Sequence, residues 1–149
     1  MSDTVKKQIQ ELIDRETLGL NSKNPDLFLD IIHPDMVWPW PRESADHDPG
    51  LWKFVLGRFN KERWRQYFQA IFDQFDLVHN RRETIKIEVS PEEDAAFAVI
   101  DVDSLWRNEA TKQEIVWKGR ICKFYTKASN GDWKFIFQIG PLDYGLFRD

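Results

Sequence analysis

Four charged residues, Asp101, Asp103, Lys118 and Arg120, fall into one pattern. If segments 95–107 and 113–127 form a hairpin turning around 108–113, Asp101 faces Arg120, Asp103 faces Lys118 and Arg107 faces Glu114. Three opposite-charge pairs share one register and one face. A one-residue slip would destroy all three and send each side chain's partner to the opposite face. A partly buried Asp101 at the floor of a pocket can serve as a general base, with Arg120 stabilising a developing oxyanion. The plain alternative is a cross-strand salt-bridge ladder that fixes register and does no chemistry.

Other residues carry chemistry more loosely. Trp38 and Trp40 alternate with prolines in Asp35-Met36-Val37-Trp38-Pro39-Trp40-Pro41. They can stack on an aromatic or polycyclic ligand, or simply fill the core. Asp46-His47-Asp48 can hold a His–carboxylate dyad in a lid loop, with His47 as proton carrier. Such residues are also common in solvated loops. Glu16 and Tyr67 can point into a pocket mouth or pack at a boundary. His33-Pro34-Asp35 with His79 has the formal look of a two-His-one-carboxylate metal site, but the motif sits at a helix end, so no metal is expected. Cys122 is the single cysteine, which excludes a disulfide framework.

Composition narrows the function classes. A chain of 149 residues can bury a full core as one domain, 1–149. Seven Trp and eleven Phe supply rings that fill cores and line ligand pockets. A net charge of −4 argues against nucleic acid as a main partner, and Arg81-Arg82 is too short a basic cluster to overturn that. No apolar leader and no membrane-length apolar run is visible, so no membrane partner is expected and a cytoplasmic location is the default expectation.

The elements follow from periodicity and caps. Residues 4–18 read as an amphipathic helix whose stripe is Val5, Ile9, Leu12, Ile13 and, as a polar exception, Glu16. Asn24-Pro25-Asp26 opens a second helix burying Leu27, Phe28, Ile31 and Ile32, which Pro34 stops at His33. Met36, Trp38 and Trp40 share one face of an edge strand, because two prolines cannot donate to a ladder. Residues 42–59 read as a loop with a short helical piece. Asn60 caps a third helix that runs to about Phe75. Strands follow near 82–90, 95–107, 113–127 and 132–141, the last two joined at Asn130-Gly131.

That turn sets Phe137 opposite Phe124, Ile139 opposite Cys122 and Pro141 opposite Arg120. One sheet face then carries Phe97, Val99, Asp101, Asp103, Lys118, Arg120, Cys122, Phe124, Phe137 and Ile139. The sequence places the pocket on this face, so Asp103, Lys118, Cys122, Phe124, Phe137 and Ile139 join Trp38, Trp40, Glu16 and Tyr67 as ligand-contacting candidates. The opposite face, with Ile100, Val102, Trp106, Ile115, Trp117, Ile121 and Ile136, is also apolar. One face packs on the helices and the other needs a cover, which a second copy of the chain would supply.

Two helices, a strand, a third helix and an antiparallel meander are the element order of the NTF2-like superfamily. The chain resembles its SnoaL-like and DUF4440-type members over nearly its whole length. The resemblance is carried by the helix-one stripe, Asn21 to Asp26 before Leu27, and His33-Pro34-Asp35 leading to Val37. Gly119-Arg120 and Asn130-Gly131-Asp132-Trp133-Lys134 complete it. It implies an α+β cone: three N-terminal helices packed on a curved antiparallel sheet around a pocket, often in dimers. The family includes ketosteroid isomerases, polyketide cyclases, dehydratases and noncatalytic binders. The isomerases' catalytic base would fall near Trp40, their oxyanion-hole tyrosine near Glu16 and their second donor carboxyl near Cys122. All three roles are vacant here, which disfavours that mechanism. The expectation is a small-molecule binder, acting without cofactor on an apolar ring as a lyase, isomerase or cyclase. The alternatives are a noncatalytic binding or dimerisation module and a dioxygenase small subunit.

Overall fold

A computed structural model of the chain describes residues 2–41 and 48–140. Asp46, His47 and Pro141 lie outside the described residues. Helix α1 spans Ser2–Asn21, longer at both ends than periodicity suggests. Its buried stripe is Val5, Ile9, Ile13 and Glu16. Helix α2 is short, Pro25–Leu29, with the Asn24 side chain accepting from the Asp26 N–H at 3.1 Å. It ends before Ile31 and Ile32 because the chain there turns to bond a strand edge. The Phe135 N–H donates to Ile31 and the His33 N–H donates to Phe135, both at 2.8 Å.

The stretch 36–41, expected as an edge strand, does not join the sheet: its prolines cannot donate to a ladder, and it is held only by isolated bridges. Val37 pairs with Arg58 and Trp40 with Lys53. Extended backbone nevertheless buries Met36 and Trp38 and half-buries Trp40. After a single 3-10 turn at Pro49–Leu51, helix α3 spans Lys61–Gln74. Its Asn60 cap accepts from the Arg63 N–H at 2.9 Å, and Trp64, Phe68 and Phe72 face the core.

Four strands follow: β1 Asp76–Val89, β2 Ala95–Arg107, β3 Glu114–Lys127 and β4 Trp133–Ile139. They pair in chain order as one antiparallel sheet. Strand β1 begins six residues before the expected start. The stretch Asp76–Arg81, four of whose six residues are polar, conceals it, because that stretch pairs along β2 with one face in solvent. Register shifts in β1 fall at Val78 and Ile85. Both residues are about half exposed, 45% each, because the bulge turns them out of the alternation.

The β2–β3 register is the one the charges specify: Asp101 with Arg120, Asp103 with Lys118, Arg107 with Glu114, Phe97 with Phe124. On β4 the expected partners hold at Phe137–Phe124 and Ile139–Cys122. Nearer the turn the register slips by one, so Tyr125 pairs with Phe135. The turn is one residue longer than a two-residue Asn-Gly hairpin. The Ala128 N–H donates to Asp132, and Gly131 takes φ +89°, a conformation that favours glycine. Ile136 is the bulged residue that restores the outer pairing.

Gly140 packs directly on β3. A Cβ there would stand 2.2 Å from the Arg120 carbonyl oxygen. Gly140→Ala is therefore expected to push the end of β4 away from β3 and lower stability by about 1–3 kcal/mol. Urea unfolding followed by tryptophan fluorescence measures this directly.

Candidate functional site

The inner face of the sheet is the one the sequence assigned to the outside. Ile100, Val102, Ser104 and Trp106 of β2 are buried against the helices, and so are Ile121, Lys123 and Tyr125 of β3. The expected pocket face is the outer one. Period-two alternation sorts residues into two sets, and both sets here are largely apolar. Only the packing of α1 and α3 chooses between them.

Between the inner sheet face, α1, α3 and the 38–41 segment lies a cavity of about 510 Å³. Its apolar walls include Trp38, Trp40, Phe68, Phe72, Trp106 and Trp117. These rings brace one another. Trp40 stacks on Trp117 with centroids 5.1 Å apart and planes at 16°, and Phe72 stacks on Trp106 at 5.5 Å and 21°. Trp38 sits among Trp40, Trp64, Phe68 and Phe135 at 5.5–5.8 Å. It is thus core and cavity wall at once.

One end of the cavity is charged and buried. Lys123 Nζ donates to Glu16 Oε2 at 3.2 Å and to Gln138 Oε1 at 2.7 Å. Arg82 Nη2 donates to Glu16 Oε1. Glu16, Arg82, Lys123 and Gln138 all line the cavity. Ala98, opposite Lys123 on β2, leaves the room a long side chain needs. Lys123 Nζ also lies 4.6 Å from the centre of the Phe135 ring. Burial lowers the Lys123 amine to about 8, although Glu16 pulls it the other way. Burial pushes the Glu16 carboxyl up, but Lys123 and Arg82 outweigh that and hold it below the ordinary value. Burial, with the Glu16 charge beside it, raises Tyr125 well above the ordinary phenol. Tyr67, on the cavity wall, is raised by burial alone.

Of the residues the sequence singled out, Glu16, Trp38, Trp40 and Tyr67 line this cavity. Asp101, Arg120, Asp103, Lys118, Cys122, Phe124, Phe137 and Ile139 do not, because they belong to the opposite face. Asp101 is buried there in a two-point pair with Arg120, at 2.7 and 3.0 Å. Asp103 contacts His79 at 3.0 Å and Lys118 at 3.9 Å. His33 bonds locally, its Nδ1 accepting from the Asp35 N–H. Among the described residues no cluster of metal-ligating side chains forms.

Arg82 and Lys123 are the residues sequence reasoning missed. Strand alternation separates Arg81 from Arg82, placing only the second in the cavity. Lys123 carried a readable signal: it lies between Ile121 and Tyr125 on an otherwise apolar strand face. Glu16 is the matching anomaly on the stripe of α1.

No protein-family description matches the chain, and no curated protein does. Solved structures match in shape. A conserved protein from Planctomyces limnophilus superposes with a TM-score of 0.70 at 10% identity, over 93% of this chain and 95% of the other. An NTF2-like superfamily protein from Salmonella enterica gives 0.67 at 18% identity, over 100% and 99%. This is the NTF2-like fold. A ketosteroid isomerase-like protein from Erwinia carotovora shares it, with a TM-score of 0.64, 15% identity and coverage of 89% and 95%. At such identities the NTF2-like likeness is one of architecture, and it does not reach the SnoaL-like or DUF4440-type subdivision. No helix among the described residues is long and apolar enough to cross a membrane.

The buried charges make two stability predictions. Glu16→Gln leaves two cations in the interior without their counter-charge and is expected to cost about 3–5 kcal/mol in urea unfolding at pH 7. Lys123 titrates lower in the fold than its ordinary 10.5. Between pH 8 and 10.5 the unfolded chain therefore holds more protons than the folded one, so this residue's contribution makes stability rise with pH. The rise is expected to vanish in Lys123→Met, measured by urea unfolding at steps across that window.

Proposed function

We propose that the protein binds a small molecule with an apolar or aromatic ring in the cone cavity. The single observation that carries this reading is the cavity itself: about 510 Å³, walled by tryptophan and phenylalanine, with a few polar groups gathered at one end. That is the usual composition of a small-molecule site. A thermal-shift panel of aromatic acids, steroids and polyketide-like lactones tests it. At least one class is expected to raise the melting temperature and quench tryptophan fluorescence. Trp40→Ala, which removes the ring stacked on Trp117, is expected to weaken the best ligand about tenfold, or ~1.4 kcal/mol. Silence across the panel, or an unaltered affinity in Trp40→Ala, counts against the reading.

A catalytic reading of the same cavity is favoured by Lys123. An amine titrating at about 8 matches a general base working near neutral pH. Arg82, on the other oxygen of the Glu16 carboxylate, would face the oxyanion left by proton abstraction. The reaction class is then a cofactor-free lyase, isomerase or cyclase step. Exchange of a ring ketone's α-protons with deuterated solvent, watched by NMR, is expected to accelerate as pH rises through 8 and to stop in Lys123→Met.

The outer face supports a homodimer. Phe97, Phe124 and Phe137 form an aromatic row across three strands, with centroids 6.0 and 5.9 Å apart. With Val99, Cys122 and Ile139 they stay only half-buried. Such a face gains most from a second copy of itself.

A further inference from the structure

Two buried side-chain nitrogens lack a hydrogen-bond partner among the described residues, Trp38 Nε1 and Arg82 Nε. Both residues line the cavity. Trp38 is 5% exposed, and the Arg82 side chain 9%. A buried donor without a partner is costly. Both unmet groups are donors, so what would satisfy them is a ligand rich in lone pairs.

Charge points the same way. At the buried end, α1 contributes the carboxylate of Glu16, β1 the guanidinium of Arg82 and β3 the ammonium of Lys123. Strand β4 contributes only the neutral amide of Gln138, and the Tyr125 phenol beside them is neutral. Glu114, the other acid on the lining, is paired with Arg107. Two cations against one anion leave a net positive charge in a region of low dielectric, where a compensating anion is worth far more than in water.

We propose that the cavity selects ring compounds bearing a carboxylate, with the carboxylate seated against Arg82 at the Glu16–Lys123 end and the ring among the tryptophans. This rests on the small-molecule reading above and names its ligand class. A carboxylate is acceptor-only, so one seated against Arg82 answers that residue's unmet N–H and the excess charge. A ligand amine would meet Arg82 and Lys123 with like charge.

The test is calorimetry on the full chain at pH 7 with two near-isosteric probes, 2-naphthoate and 2-naphthamide. The acid is expected to bind at least tenfold more tightly. Equal affinities, or a tighter amide, would overturn the carboxylate assignment while leaving the pocket reading intact. Binding of neither probe would count against both. Arg82→Gln is expected to erase the preference for the acid, and an unchanged preference in a folded variant would sink the proposal. Should that variant fail to fold by circular dichroism, the unmodified protein still decides. Naphthoate stays ionised from pH 7 to 9.5, whereas Lys123 loses its proton across that span. The acid-to-amide affinity ratio is expected to fall severalfold, and a flat or rising ratio would refute the assignment.

Discussion

The contact between Glu16 and the two cations Lys123 and Arg82 is the constraint around which the interior is arranged. An ionised carboxylate cannot be buried against an apolar sheet unless its charge and lone pairs are met there. Meeting them fixes where α1 lies across the sheet, since Glu16 must reach β1 and β3 at once. It also fixes which face of β3 turns inward, since Lys123 must reach back to α1. The small side chain of Ala98 and the amide of Gln138 complete the arrangement from the neighbouring strands. An isolated ion pair of this depth contributes little net stability, because desolvation offsets most of the attraction. Its effect is to make other placements of the helix costly.

The aromatic wall is the second condition for a cavity. Here the rings hold one another apart: Trp40 on Trp117, Phe72 on Trp106, and Trp38 wedged between α3 and β4. The prolines at 39 and 41 contribute by keeping their segment out of the sheet. The segment can then lean over the sheet's inner face, pinned by the Trp40–Lys53 bridge. The polar end and the apolar walls are built from different elements, and they share a single space only because the sheet curves beneath both.

Bulges in β1 and β4 shape that curvature and also explain how the sequence misleads. The bulge at Ile85 changes which residues of β1 face inward, so Arg82 and Thr84 lie on one side of it and Ile87 and Val89 continue the inner face on the other. The outer face keeps the charge ladder, with Asp101 and Arg120 in a two-point pair that leaves neither aimed into the cavity. The ladder fixes register, and the chemistry the sequence attached to it has no access to the cavity.

The sequence alone determined what local chemistry dictates. Cap residues at Asn24 and Asn60, the stripe of α1 and the glycine turn specify elements, and the opposite charges on β2 and β3 specify their pairing, because each depends on neighbours a few positions or one hairpin away. It also marked Glu16, Trp38, Trp40 and Tyr67, which are conspicuous against their local pattern. The tertiary structure decided which of two apolar sheet faces meets the helices. That choice assembled Glu16, Arg82, Lys123 and Gln138 from four separate elements at one end of the cavity. No local pattern contains that choice, because alternation carries no sign. The sign comes from the long-range energy of closing α1 and α3 over one face, where the buried charge finds its partners and the rings find one another.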